Sequence, residues 1–141
     1  MATTIIKSLW DYFLDCPLTE DKKLNVDYLP DKGIEYSIDT TPATDIVKKY
    51  TDGSSIRQYL FVFRSVNEYG NDELQNLANS DFYEWFSEWL EQQSRGGNLP
   101  ELPAGKTPIK IETQSTGYLF TTGPAVGRYQ IQCRLLYLQE V

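Results

Sequence analysis

The chain of 141 residues contains no histidine. Histidine is the commonest general base and metal ligand in proteins, and most catalytic triads depend on its imidazole ring. The two cysteines, Cys16 and Cys133, therefore have no histidine to activate them as nucleophiles. Glycine-rich nucleotide loops and the spaced oxygen ligands of an EF-hand are also missing. These absences predict a protein that is not an enzyme, with no catalytic, metal-binding or cofactor-binding residues and no cofactor.

Long apolar runs are scarce as well. No stretch approaches the roughly 20 apolar residues that span a bilayer, and the first residues lack the basic start and apolar core of a secretory signal. We therefore expect a soluble chain that stays in the reducing compartment where it is made, with both cysteines as small core residues. The length is typical of one domain, which predicts a single domain over residues 1–141.

Basic residues are scarce in one segment. The net charge is -7, and residues 67–101 carry eight acidic side chains against the single cation Arg95. Affinity for a phosphate backbone comes mainly from Lys and Arg, so no specific nucleic-acid binding is expected. Lys48 and Lys49 beside Tyr50 could begin a backbone-binding patch, but two charges favour a solvated strand end.

The spacing of apolar residues predicts a helix over residues 4–16 that stops at Pro17. Residues 24–29 fit either an edge strand or a loop, because Pro30 interrupts their alternation. Alternation then predicts strands over residues 34–38, 45–50 and 56–66, the last two joined by a turn at Asp52-Gly53. Residues 59–63 are apolar on both faces, which predicts a central strand covered on both sides.

A long helix is predicted from an N-cap at Asn71 to Gly96-Gly97, either continuous or broken at Asn79-Ser80. Its predicted core stripe comprises Leu74, Ala78, Phe82, Trp85, Phe86 and Trp89. The opposite side carries an acidic ridge, defined as Glu84, Glu88 and Glu91. Two carboxylates can share acid and base roles in glycoside hydrolysis, but side chains opposite a core stripe are expected to face water.

Strand patterns follow at residues 109–112 and 117–121, as two short strands or one bent strand, and at residues 128–139. The predicted order is α-β-β-β-α-β-β. This order predicts an α+β fold in which two helices pack on a mostly antiparallel, possibly mixed, sheet.

Several stretches resemble a family of small phage proteins: IIKSLWDYFLDCP, EYSIDTTP, RQYLFVFRS, FYEWFSEWLEQQ and GRYQIQCRLLYLQE. These proteins come from the morphogenesis modules of tailed phages and prophages of Gram-positive bacteria. They are labelled minor capsid or tail proteins and are similar to tail terminators. The resemblance covers nearly the whole chain, although no short motif is diagnostic.

The resemblance implies a structural virion protein of the tail and head-tail junction, assembled in the bacterial cytoplasm. It implies a tail-terminator fold and a homohexameric ring that caps the tail tube protein and meets the head-completion or connector protein. DNA would pass through the ring, and no membrane is involved. A different reading remains open, in which a small acidic phage or prophage protein inhibits a host enzyme or nuclease by presenting negative charge where DNA would bind.

The resemblance transfers no single functional residue, so interface residues are predicted from position. The hairpin at Asp52-Gly53 and the loop over residues 114–128 are expected to project. Tyrosines that fall outside the apolar faces are candidates for partner contacts, because aromatic residues are enriched in interfaces. The predicted protein-interface residues are Lys48, Lys49, Asp52, Gly53, Tyr83, Thr116, Tyr118 and Arg128.

Overall fold

The computed structural model describes residues 4–17, 24–27, 35–42, 44–68, 73–123 and 126–141. Within them the elements are α1 (Ile5–Leu14), β1 (Leu24–Val26), β2 (Glu35–Thr40), β3 (Ile46–Lys49), β4 (Ser55–Glu68), α2 (Glu73–Arg95), β5 (Lys106–Thr113), β6 (Tyr118–Gly123) and β7 (Val126–Gln139). The predicted α+β class is confirmed. Four strands precede α2 and three follow it, one more on each side than in the predicted order, because the alternatives left open at residues 24–29 and at residues 109–121 both resolve as additional strands.

The centre of the sheet is a ribbon of the two longest strands, β4 and β7, which pair antiparallel along their whole length. Short strands flank it, with β2 and β3 along β4, and β5 and β6 along β7. β1 adds to β2 in the parallel sense, while every other pair is antiparallel. The sheet is therefore mixed and mostly antiparallel, and β4 is central as its apolar run predicted.

Both helices pack on the same face of the sheet, which we call the helix face. The ring of Phe13 in α1 lies 5.5 Å from that of Phe63 in β4, and Phe86 in α2 lies 4.5 Å from Phe63, measured between centroids. Burial of these rings is the main stabilising contribution of the core. In the described parts of the chain no helix lies on the opposite face, so the second covering layer that β4 predicted is not among these elements.

The first helix forms as predicted. It begins after Thr4, whose hydroxyl accepts a hydrogen bond from the backbone N–H of Lys7 at 3.2 Å, as an N-cap does. Leu9 and Phe13 are fully buried against the sheet, whereas Leu14 is exposed. Cys16, just beyond the helix, is a buried thiol, as is Cys133 in β7, which confirms both as core residues.

The second helix is continuous through residues 79–80 and ends at the predicted glycines, where Gly97 has a positive φ of 74°. Its predicted N-cap, Asn71, lies outside the described residues. The predicted stripe was wrong at Ala78, which is exposed, and at Trp85, whose exposed fraction is 54%. The residues that face the sheet most directly recur every three or four positions, as one side of a helix requires: Asn79, Tyr83, Phe86 and Leu90.

Candidate interaction surface

The sheet face opposite the helices, which we call the open face, is formed by alternate residues of the central ribbon and by their neighbours on the flanking strands. Val62 and Val66 of β4 are buried on it, while Gln132 of β7 is exposed. The other described positions of this face are mainly polar or charged and include Ser37, Asp39, Arg64, Lys110, Glu112, Tyr118, Arg128, Gln130 and Arg134.

Arg64 anchors one end of the open face. Its Nη1 lies 2.9 Å from Oδ2 of Asp39, whose other carboxylate oxygen accepts a 2.5 Å hydrogen bond from the Ser37 hydroxyl. The guanidinium carbon lies 5.4 Å from the centroid of the Phe120 ring, within range of a cation–π contact. The buried Nε of Arg64 has no hydrogen-bond partner among the described residues. A carboxylate and an aromatic ring therefore hold this guanidinium in place.

A second ion cluster crosses the other half of the open face. Glu112 Oε2 accepts hydrogen bonds from Arg134 Nε at 2.8 Å and Nη2 at 2.5 Å, and Lys110 Nζ lies 3.1 Å from the other oxygen. Burial alone would raise the pKa of Glu112, but hydrogen bonds and positive charge from Lys110 and Arg134 outweigh it and lower the pKa. The cations of this cluster are thus already paired within the face.

The helix side of the molecule has the opposite electrostatic character. The acidic ridge of Glu84, Glu88 and Glu91 is exposed, as predicted. Glu91 pairs with Arg95 at 2.5 Å, and among the described residues no ion pair joins Glu84 or Glu88 to a cation. In α1 the exposed Asp11 pairs with Lys7 at 2.7 Å. Surplus negative charge therefore lies on the helices, and the open face carries charges of both signs.

The predicted hairpin residues lie at one end of the sheet. Lys48 and Lys49 are exposed on β3, and Lys48 Nζ stands 5.2 Å from the centroid of the Tyr50 ring. The Asp52 carboxylate accepts hydrogen bonds from the Ser54 hydroxyl at 2.6 Å and the Ser54 N–H at 2.9 Å, which lower its pKa. Gly53 has a φ of 95°. Asp52 and Gly53 therefore form the predicted turn, and its interface role stays a prediction.

Three other predicted residues lie towards the opposite end. Arg128 pairs across the ribbon with Val66, whereas Ser55 beside the hairpin pairs with Gln139. Eleven steps along β4 separate these positions, which is roughly 36 Å at about 3.3 Å per residue. Tyr118 pairs with Gln130, and Thr116 lies exposed just before β6. The structure thus brings Thr116, Tyr118 and Arg128 into one half of the sheet and leaves the hairpin in the other.

Residues 114–128 do not form one projecting loop, because the strand that was also predicted at residues 117–121 is present. Residues Tyr118–Gly123 form β6, and β7 already begins at Val126. Tyr118, Leu119 and Phe120 of β6 are exposed to 39%, 36% and 36%. Leu119 and Phe120 were not predicted as surface residues. The sequence did contain a signal, because three consecutive large apolar residues in a short uncharged strand cannot all face one core.

The prediction that Tyr83 is a surface residue for partner contacts was wrong. Its side chain is only 2% exposed, and its hydroxyl lies 2.6 Å from the Ser65 hydroxyl on the helix face. Burial raises the pKa of the Tyr83 phenol well above its ordinary value, so the hydroxyl remains a hydrogen-bond donor. The ring packs against Gly117, where the missing side chain lets β6 approach α2 closely. Tyr83, Thr116 and Gly117 line a groove of about 360 Å³ between α2 and β6.

Within the described ranges no three His, Cys, Asp or Glu side chains are grouped so that they could hold a metal ion. None of the helical residues described forms a segment long and apolar enough to cross a membrane. The chain matches no protein-family model, and no curated protein is significantly similar to it.

Proposed function

We propose that the chain is a structural phage morphogenesis protein, a tail terminator that caps the tail tube as a hexameric ring and joins it to the head connector. The observation that carries the proposal is that both helices lie on one face of a seven-stranded sheet. The exposed positions of the open face, such as Gln132 and Tyr118, are thereby available for other protein chains. The order of helix, strands, helix, strands also agrees with the phage family that the sequence resembles.

The distribution of charge supports a definite orientation in the ring. Each copy carries a net charge of -7, so six copies bring six times that, or -42, into one assembly. Like charges on adjoining surfaces destabilise an interface, so the acidic ridges have to point away from neighbouring subunits. The open face, whose described cations are partly paired with Asp39 and Glu112, meets no such penalty. We therefore assign the open face to contacts inside the assembly.

Deletion of the gene from its parent phage or prophage tests the proposal. After induction, electron microscopy of the lysate would show overlong or ragged tails beside unattached, DNA-filled heads, because nothing would stop tube growth or join the tail to the head. Supply of the wild-type gene in trans would restore complete virions. Normal virions without the gene would contradict the proposal.

A matched pair of variants then tests the open face. Gln132 is exposed on the open face and Gln92 is exposed on α2, so Gln132→Glu and Gln92→Glu make the same chemical change in the two layers. We expect Gln92→Glu to complement the deletion and Gln132→Glu to fail, because it places a charge inside the assembly. If both variants fold and complement the deletion equally well, the open face does not make contacts inside the assembly.

The acidic ridge favours the second candidate function, an acidic inhibitor that binds a host enzyme or nuclease. Its three carboxylates line one exposed side of α2. An inhibitor would retain a host enzyme in affinity purification and would lose it when Glu84, Glu88 and Glu91 are all changed to Gln. The terminator predicts instead that this triple variant still complements the deletion.

A further inference from the structure

Three of the sheet's described edge strands carry protection against pairing with another chain. β3 exposes Lys48 and contains a bulge, and charged edge residues and bulges are known devices against such pairing. β5 contains Pro108, which has no N–H to donate, and a second bulge. β1 is only three residues long, and its Leu24 carbonyl accepts a 3.1 Å hydrogen bond from the Trp10 indole.

α2 also protects β5 against pairing with another chain. The Ser94 hydroxyl accepts a hydrogen bond from the Ile111 N–H at 3.1 Å and donates one to the Ile111 carbonyl at 2.5 Å. A side chain of the helix thereby occupies the backbone groups that an added strand would need. This arrangement makes β5 a poor template for strand addition.

The fourth edge strand, β6, shares only the bulge with β3 and β5 and has neither their charged or proline residues nor, among the described residues, a helix side chain on its backbone groups. Its sequence YLFTTG contains no charge and no proline, and its only interruption is a bulge between Leu119 and Thr121. Among the described residues, no further backbone hydrogen bond reaches Tyr118, Leu119 or Phe120 from the side away from β7. All three side chains are more than one-third exposed. An uncharged apolar edge of this kind pairs readily with another strand.

We propose that β6 pairs antiparallel with β6 of a second copy of this chain, so that the free protein is a two-fold dimer with one sheet continuous across both copies. Head-to-tail pairing would need a second unprotected edge, and the other described edges are all protected. A two-fold axis pairs a strand with its own copy. Pairing β3 with its copy would bring like charges at Lys48 together, whereas β6 has no charge to bring together. The dimer belongs to the free protein and does not depend on the proposed role in the tail.

Sedimentation velocity of the purified full chain tests the dimer. We expect a dimer at micromolar concentration, and we expect Leu119→Lys to raise the dimer dissociation constant by about tenfold or more, because two ammonium groups would face each other. Val47→Lys is the matched control, since Val47 is an exposed apolar residue on the protected edge β3. It should leave the dissociation constant unchanged.

Hydrogen exchange supplies an independent readout. Amides of β6 should exchange more slowly as the concentration of the wild-type chain rises, and those of β3 should not. A wild-type monomer at these concentrations would overturn the proposal, as would an oligomer that a folded Leu119→Lys variant leaves intact. If that variant does not fold, Leu119→Cys decides: a disulfide-linked dimer that Val47→Cys does not form supports the proposal, and equal behaviour of the two overturns it. The native thiols are buried and do not interfere.

Discussion

Gly117 and Tyr83 show how single residues set the distance between α2 and the sheet. A Cβ atom built on Gly117 would lie 2.9 Å from Cδ1 of Tyr83 and still closer to Cβ and Cγ. Cβ of Tyr83 is fixed to the helix backbone, so it cannot turn away as the tip of a flexible side chain could. The position therefore requires glycine because of close approach.

Gly117→Ala is expected to lower the free energy of unfolding by about 2 kcal/mol or more, because α2 and β6 would have to move apart. Chemical denaturation followed by circular dichroism measures the change. Thr116→Ala, at the exposed neighbouring position, should change the free energy by less than about 0.5 kcal/mol. Equal stability of the Gly117→Ala variant and the wild type would show that the close contact between glycine and Tyr83 is absent in solution.

At the scale of elements, α2 is fastened to β5 by two serines. Ser94 satisfies both backbone groups of Ile111, and the Ser87 hydroxyl donates a 3.2 Å hydrogen bond to that of Thr113. The two contacts are two turns apart along the helix, so they align α2 with the edge strand. The difference between them is that Ser94 bonds to backbone and Ser87 to a side chain.

Ser94→Ala should lower the free energy of unfolding by about 1–3 kcal/mol, because it leaves a partly buried N–H and carbonyl without their partner. Ser87→Ala should cost less, since the Thr113 hydroxyl can rotate. Urea titration of both variants measures the difference. The Ser94 variant should also aggregate faster, because the β5 edge is uncovered. A smaller loss for Ser94→Ala than for Ser87→Ala would contradict this reading.

The cluster around Glu112 makes stability depend on pH. The folded chain lowers the pKa of Glu112 below its ordinary value of 4.5, so its ion pairs contribute stability above that value, and the contribution is lost as the pH falls through the lowered pKa. Glu112→Gln should therefore reduce stability at pH 7 by about 1 kcal/mol or less, with the difference shrinking below pH 4.5. Denaturation from pH 3 to 7 measures the effect.

Glu91→Gln is the control for that experiment, because Glu91 pairs with Arg95 on an open helix surface where both side chains are mostly exposed. It should leave both the stability and its pH profile unchanged. An identical profile for the wild type and Glu112→Gln would show that the cross-strand cluster does not contribute to folding.

For the whole molecule, the β4–β7 ribbon is the common support of every other element. It carries the other strands, directly or through β2, and both helices pack on its helix face. We expect amides at the centre of the ribbon, such as those of Phe63 and Ile131, to exchange hydrogen only through global unfolding. Amides of β1 and β3 should exchange first. Native-state exchange in low denaturant measures this order, and slower exchange in β3 than in the ribbon would contradict it.

Much of this structure could be predicted from local patterns. The period of apolar residues determined both helices and the central strand, and the Asp52-Gly53 pair determined a turn, because these depend on neighbouring residues and on the steric freedom of glycine. The burial of Cys16 and Cys133 also followed from the sequence. The acidic ridge was correctly placed in water because its three residues share one side of a helix.

Tertiary structure alone decided the features on which the proposals rest. The local patterns are compatible with helices on one face of the sheet or on both. The face on which each helix packs is determined by contacts between residues far apart in the chain. For the same reason Tyr83 faces inward, where Ser65 and Gly117 accommodate it, and Trp85 faces outward. Composition and period determined the elements, whereas long-range packing determined which sheet face and which strand edge stay open.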